Sequence, residues 1–132
     1  MRYQKLLAAG LLLLAACAGY STGPGYGGGG GGQGGGGGGP VGSVTVGPGI
    51  QFVSAHDGSQ NPAVASIAVG ATVTWTWSGS LRHSVQSTGT TSFASSPIMS
   101  SGTYEVQFNT PGTYHYICAV HGASMSGTVI VQ

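Results

Sequence analysis

The residues with the clearest capacity for chemistry lie close together near the C-terminus. Cys118, His121 and Met125 fall within eight residues and supply a thiolate, an imidazole and a thioether. A second imidazole, His83, stands 35 residues before the cysteine. Soft and borderline ligands of this kind suit copper better than other biological metals. We therefore predict that these four side chains converge on one mononuclear copper ion.

This ligand set also indicates what the copper would do. Two imidazoles and a thiolate in a trigonal set, with a weak axial thioether, hold both Cu(I) and Cu(II) with little movement. His83, Cys118 and His121 would form the trigonal set, and Met125 would be the axial contact. A structural zinc site would use more thiolates and no thioether. A buried structural cysteine, a packing methionine and a strand-end histidine are each plausible alone, but together they require coincidence.

Two other histidines, His56 and His115, are interpreted as surface or structural residues. His115 lies three residues before Cys118. An odd spacing along a strand places two side chains on opposite faces. His115 therefore cannot share a metal with Cys118, and His56 lies in a turn far from the ligands in sequence.

The chain is nearly free of charge. Charged residues make up 4% of its 132 positions. Once an N-terminal signal is removed, the remaining charged residues are Arg82, Asp57 and Glu105, and the net charge becomes −1 (one minus two). The sequence therefore lacks the basic patch that nucleic-acid binding requires and the field that steers a charged partner. We expect a monomer, because no long apolar surface requires a partner.

The N-terminus predicts export and membrane attachment. Residues 1–16 combine an early basic start with an apolar run too short to span a bilayer, which is typical of a secretory signal. The run ends in Leu14-Ala15-Ala16-Cys17, which resembles a bacterial lipoprotein signal with Cys17 as the lipidated residue. Residues 17–42 carry two runs of six glycines and predict a flexible tether. We expect an extracytoplasmic, periplasmic lipoprotein in which Cys17 forms no disulfide with Cys118.

Residues 43–132 predict one all-β domain, a Greek-key β-sandwich of about eight strands. Short alternating runs are separated by Gly, Pro, Asn and Ser, and no helix of useful length is indicated. In residues 72–77, Val73, Trp75 and Trp77 share the face that we expect to be buried. The candidate strands are residues 43–46, 50–54, 65–69, 72–77, 81–86, 102–109, the run beginning at 114, and 128–131. Residues 87–101 read as a long irregular loop anchored by Phe93, Ile98 and Met99.

The run from Gly112 to His121, followed by Met125 and Gly127-Thr128-Val129, resembles the C-terminal ligand loop of plastocyanin-like cupredoxins. Residues 69–75 and His83-Ser84-Val85 are similar to the central strand and first ligand of that family. The resemblance covers roughly residues 43–132. It implies an eight-stranded Greek-key sandwich, a type 1 copper site, and electron carriage between redox proteins.

The sequence departs from the family pattern at two positions. Three residues separate His121 from Met125, one fewer than in plastocyanins and one more than in amicyanin-like members. Ser84 stands where plastocyanin has an asparagine after the first histidine, and its hydroxyl could still bridge to the ligand loop.

Three other classes of function stay open at this point. A copper-handling protein for storage, delivery or resistance could use the same ligands, although the chain has no methionine-rich or histidine-rich tract. An enzyme would usually need a second metal or an open coordination position, and we expect none. A metal-free binding module on the same sandwich is the remaining class.

Overall fold

A computed structural model describes residues 41–132, which contain strands and no helix. The strands are β1 (Ser43–Val46), β2 (Phe52–Ser54), β3 (Ala63–Ile67), β4 (Thr72–Trp77), β5 (Gln86–Thr88), β6 (Thr103–Gln107), β7 (Gly112–Cys118) and β8 (Gly122–Val131). The predicted all-β class and the number of strands are confirmed. The predicted signal peptide, Cys17 and almost all of the tether lie outside the described residues. Within the described residues, no helix is long and apolar enough to cross a membrane.

The strands form two four-stranded sheets. One has the order β2-β1-β4-β6 and the other the order β3-β8-β7-β5. The pairs β1–β4 and β3–β8 are parallel, and the other pairs are antiparallel. The chain crosses from one sheet to the other repeatedly, as in Greek-key sandwiches. This topology places the end of β4, the start of β5 and the β7–β8 connection at one end of the sandwich.

The core lies between the two sheets and is built from alternating residues. Val73, Trp75 and Trp77 are buried, as predicted, while Thr72 and Thr76 on the same strand are exposed. The rings of Trp75 and Tyr116 meet edge to face across the sandwich, with centroids 5.4 Å apart. Such an aromatic pair contributes about 0.5–1.5 kcal/mol beyond its buried area. This contact joins β4 to β7, the strand that ends in Cys118.

Gly127 is required by the packing of this core. It pairs with Tyr116 across β7 and β8. A Cβ atom added at Gly127 would overlap the Tyr116 ring. The absence of a side chain at Gly127 therefore leaves room for the tyrosine ring against β8.

Most strands begin or end at residues other than those predicted from the sequence, and three of the differences bear on the site or the sheet order. The run predicted at residues 65–69 forms β3 two residues earlier, and the run predicted at 128–131 begins at Gly122. The run predicted at 81–86 is not a strand, since β5 begins only at Gln86. His83 instead forms an isolated antiparallel bridge with Met99. Hydrogen bonding between distant parts of the chain decides where these strands begin and end, and the local alternation of apolar and polar residues does not reveal it.

The irregular segment 89–101 lies along the edge of β5 and the residues before it. Ser96 accepts a hydrogen bond from the Val85 amide at its hydroxyl (2.8 Å) and donates its own amide to the Val85 carbonyl (2.9 Å). Phe93 stacks on Trp75 with centroids 5.8 Å apart and an interplanar angle of 10°. Phe93 is therefore an anchor, as predicted. Ile98 is not, because 46% of its surface is exposed.

Candidate metal centre

The end of β7 and the start of β8 bring two of the predicted ligands together. Cys118 is the last residue of β7, fully buried on the inner face. It pairs with Gly122, whose φ of 64° lies in the left-handed region that glycine tolerates. The connection between the strands is consequently very short. The Ser124 hydroxyl donates to the His121 carbonyl at 2.7 Å, which further fixes the loop.

The backbone of His83 is held from two sides. Its amide donates to the Met99 carbonyl and its carbonyl accepts from the Met99 amide, both at 2.8 Å. The indole nitrogen of Trp77 donates to the same His83 carbonyl at 3.3 Å. His83 was expected at a strand end. The structure shows instead that a bridge to the irregular segment and a core tryptophan hold it.

Three potential ligand atoms converge at this end of the sandwich. His83 Nδ1 lies 3.2 Å from His121 Nδ1 and 3.8 Å from Cys118 Sγ, and Cys118 Sγ lies 3.4 Å from His121 Nδ1. The point in their plane that is equally distant from all three atoms lies about 2.0 Å from each. Metal–nitrogen bonds are about 2.0–2.1 Å long and metal–thiolate bonds about 2.3 Å in zinc sites. One metal ion therefore fits among the three atoms.

The electrostatics of the site favour a neutral imidazole at His83. Its side chain is fully buried. Burial, and after it the nearby His121 ring, lower the pKa of His83 below its ordinary value. A neutral imidazole has a free lone pair for a metal, whereas a protonated ring has none. His83 Nε2 is buried and has no hydrogen-bond partner within the described part of the chain.

Met125 lies on the inner face of β8, near the start of the strand that follows Cys118. It is fully buried, and its neighbour Ser126 pairs with Ile117 across the ladder. The register shifts between Ile117 and Cys118. Met125 therefore occupies the irregular stretch of β8 opposite the end of β7. It was predicted in a loop, and the structure places it within a strand.

Ser84 links the two parts of the site. Its hydroxyl accepts a hydrogen bond of 2.9 Å from the amide of Ala119, the residue after Cys118. Ser84 is itself buried. A serine side chain therefore spans from the His83 segment to the ligand loop.

The remaining histidines lie apart from the cluster. His56 is exposed in the turn after β2. His115 is exposed on the outer face of β7, with Nδ1 3.2 Å from the hydroxyl of Thr128. Their interpretation as surface residues agrees with these positions.

Sequence reasoning missed the hydrogen bonds by which an irregular segment holds the residues of the site. Met99 and Ser96 hold the residues around His83, yet segment 89–101 has no periodicity that would pair it with anything. The serine content of the segment was the one available signal, because serine hydroxyls can replace backbone partners.

The fold and the donor set together define a class of protein. A β-sandwich with two imidazoles and a thiolate converging at one end, and a buried methionine in the strand that follows the cysteine, has the ligand types that mononuclear copper sites use. Residues 53–132 match the sequence profile of the family described as copper binding proteins, plastocyanin/azurin family. The chain belongs to that family, and one copper ion is its cofactor.

Individual relatives agree with this assignment. Amicyanin-alpha from Methylorubrum extorquens is 42% identical over 77 residues, which cover 55% of this chain and 63% of that protein. The match thus spans less than two thirds of that relative. A purple cupredoxin from Nitrosopumilus maritimus is similar in structure, with a TM-score of 0.56, 29% identity, and coverage of 68% of this chain and 98% of that chain.

Two further structures share the fold. The Cu(I) form of an amicyanin variant has a TM-score of 0.52 and 26% identity, and the similarity covers 68% of this chain and 80% of that chain. A copper-containing nitrite reductase from Thermus scotoductus SA-01 has a TM-score of 0.51 and 25% identity. That similarity covers 68% of this chain and 22% of the reductase chain.

Proposed function

We propose that the protein carries single electrons through a type 1 copper site. His83 Nδ1, Cys118 Sγ and His121 Nδ1 are the equatorial ligands, and the Met125 thioether is the axial ligand. The observation that carries the proposal is the convergence of the three equatorial atoms within 3.2–3.8 Å of one another. When bound there, copper supplies a one-electron Cu(II)/Cu(I) couple.

The protein's part in this function is to hold the ligands in one arrangement. Cys118 is fixed by the end of β7, and His83 by its bridge to Met99. The Ser84–Ala119 hydrogen bond ties these two supports together. A ligand frame that does not move between oxidation states keeps the reorganisation cost of electron transfer low. The buried position of Cys118 also excludes water from the thiolate.

We assign the electron port to His121, the one partly exposed member of the cluster. Three apolar side chains belong to the loops that carry the site and are each about half exposed: Leu81 (47%), Ile98 (46%) and Val120 (47%). A redox partner would dock on these side chains, which we call the apolar rim. Arg82 is the one charged residue in these loops.

We further propose that residues 1–16 are a signal peptide, that Cys17 is lipidated, and that residues 17–42 tether the domain to a membrane. The Leu-Ala-Ala-Cys sequence after an apolar run supports this proposal. In cells that express the full chain, the wild type should sediment with membranes. The Cys17→Ala variant should appear in the soluble fraction, or as uncleaved precursor. Equal membrane retention of a processed Cys17→Ala protein would contradict the lipid anchor.

Copper storage or delivery is the second candidate, because it uses the same ligands. The strand end that holds Cys118 and the bridge that holds His83 favour electron transfer over delivery, since a delivery protein must release its ion to a partner. We propose no enzymatic role. The likeness to nitrite reductase covers 22% of that enzyme's chain and is limited to this domain.

The deciding experiment is a visible absorption spectrum of the Cu(II)-loaded domain, residues 43–132, beside a Cys118→Ser variant. We expect an intense thiolate-to-copper charge-transfer band in the wild type and its complete loss in the variant, because serine offers no thiolate. Ser100→Ala, an exposed change outside the site, is the control and should keep the band. A colourless protein that binds only Cu(I) would instead indicate copper handling.

A further inference from the structure

Asn61 makes three hydrogen bonds with its side chain, although it lies outside every strand. Its Oδ1 atom accepts from the Phe52 amide at 3.2 Å and from the Ser126 amide at 3.3 Å. Its Nδ2 atom donates to the Ile50 carbonyl at 2.9 Å. All the hydrogen-bonding groups of the carboxamide thus face matching backbone groups, apart from the second Nδ2 hydrogen.

These bonds join the two sheets next to the metal centre. Phe52 begins β2 in one sheet, and Ser126 belongs to β8 in the other. Ile50 lies in the β1–β2 connection, at the same end of the sandwich. The φ of Asn61 is 37°, the one positive φ of a non-glycine residue in the described chain. Asparagine tolerates this region better than most residues, so its backbone can turn the side chain toward both sheets.

The contact with β8 falls directly beside the proposed axial ligand. Ser126 follows Met125, and the β7–β8 ladder is irregular at this point, with a register shift between Ile117 and Cys118. Regular pairing alone does not determine where Met125 sits, because the residues between Gly122 and Ser126 lack ladder partners in β7. The Ser126 amide held by Asn61 is therefore an independent restraint on the backbone after Met125.

We propose that Asn61 is a positioning residue for Met125, which sets the axial contact by holding the Ser126 amide against the opposite sheet. The inference rests on the proposed type 1 copper site with Met125 as axial ligand. Axial ligands tune the reduction potential of such copper sites. A residue that determines how closely Met125 approaches the metal therefore influences the reduction potential without contacting the metal itself.

Asn61→Gly is the most direct test. Glycine adopts a positive φ without strain, so the variant removes the carboxamide and keeps the backbone turn. With its restraint lost, the backbone around Ser126 should relax and the axial contact should change. We expect the Cu(II)/Cu(I) equilibrium constant to shift by at least about threefold, which for a one-electron couple is about 28 mV. The shift should have the same sign as that of Met125→Leu and be smaller.

A double-mutant cycle shows whether the effect passes through Met125. The reduction potential and the absorption spectrum are measured for the wild type, Asn61→Gly, Met125→Leu and the double variant. If Asn61 acts through the thioether, Asn61→Gly should produce little further shift once leucine replaces Met125. An equal shift in both backgrounds would overturn the proposal.

Two further variants separate positioning from general stability. Gln107→Ala removes another exposed carboxamide bond, from Nε2 to the Gly70 carbonyl at 2.9 Å, at the opposite end of the sandwich. It should lower the urea midpoint without changing the potential. Asn61→Asp keeps an oxygen acceptor for the Ser126 amide, and its absorption spectrum should be closer to that of the wild type than the spectrum of Asn61→Gly.

The possible failures are distinguishable. If Met125→Leu leaves both potential and spectrum unchanged, Met125 is not the axial ligand, and the proposed site is wrong in that respect. If Met125→Leu shifts the potential and Asn61→Gly does not, the site stands and the role of Asn61 is refuted. If Gln107→Ala shifts the potential as much as Asn61→Gly, the effect reflects loss of stability and the positioning role is likewise refuted.

Discussion

At the scale of single residues, His83 combines a structural and a chemical constraint. Its ring is buried beside His121, so its neutral form suits both a folded metal-free protein and a metal ligand. Its main chain is saturated with hydrogen bonds from Met99 and Trp77. The ring is thus held in place before any metal binds, which limits the ordering that metal binding must impose.

This burial predicts how the stability of the metal-free protein depends on pH. Since burial lowers the pKa of His83 in the folded state, the unfolded chain binds more protons as the pH falls below the ordinary value of 6.5. The free energy of unfolding should therefore decrease from pH 7.5 to pH 5. Urea unfolding followed by tryptophan fluorescence measures it. The pKa of Asp57 is also lowered, by hydrogen bonds from Ser59, but its ordinary value of 3.8 places its effect below this pH window.

The matched variant for this measurement is His83→Gln, which retains a polar side chain that does not titrate. Its unfolding free energy should change less between pH 7.5 and pH 5 than that of the wild type. A wild-type stability that stays constant or rises toward pH 5 would contradict the prediction.

At the scale of the elements, the β7–β8 hairpin connects the core to the site. Tyr116 packs between Phe52 and Trp75, at centroid distances of 4.9 and 5.4 Å. It also lies two residues before Cys118 on the same face. Displacement of this ring would therefore disturb both the sandwich interior and the strand end that carries the thiolate.

Gly127→Ala tests this coupling, because the added methyl group would overlap the Tyr116 ring. We expect a destabilisation of about 1–3 kcal/mol or more, typical of overpacked cores, together with a weaker thiolate-to-copper absorption band. Chemical denaturation and the visible spectrum measure the two effects. In a Tyr116→Leu background the smaller ring-free side chain leaves room, so the additional cost of Gly127→Ala should be less than in the wild type. Strictly additive costs would show that the overlap is not the cause.

At the scale of the whole molecule, the near absence of charge stands out. Within the described residues, the Asp, Glu, Lys and Arg side chains are those of Asp57, Arg82 and Glu105. A protein with so little charge has almost no long-range field. Encounters through the apolar rim would depend on shape and apolar contact, and electrostatic steering would contribute little.

Electron self-exchange between the Cu(I) and Cu(II) forms tests this property without a known partner. The Debye length falls from about 30 Å at 0.01 M salt to about 3 Å at 1 M. The self-exchange rate, from NMR line broadening, should change by less than about threefold over this range, because so few charges are screened. Val120→Lys adds a cation to the apolar rim and should make the rate salt-dependent. A steep salt dependence in the wild type would contradict the prediction.

The amino-acid sequence by itself determined the fold class and predicted the candidate ligands. The alternation in residues 72–77 and around Tyr114, Tyr116 and Cys118 follows from burial on one face of a strand, which is a local property. The types and spacing of His83, Cys118, His121 and Met125 restrict the metal, because softness belongs to the donor atom and not to its surroundings. Both features are therefore properties of the linear chain.

The tertiary structure alone decided how the ligands are held. No periodicity relates His83 to Met99, or Asn61 to Ser126, although each pair is joined in the structure. Nor does local alternation predict that β8 begins at Gly122. Local pattern predicted Met125 in a loop and His83 at the end of a strand, and both predictions were wrong. The physical reason is that hydrogen-bond partners in irregular segments are set by the packing of the two sheets, which a linear pattern cannot encode.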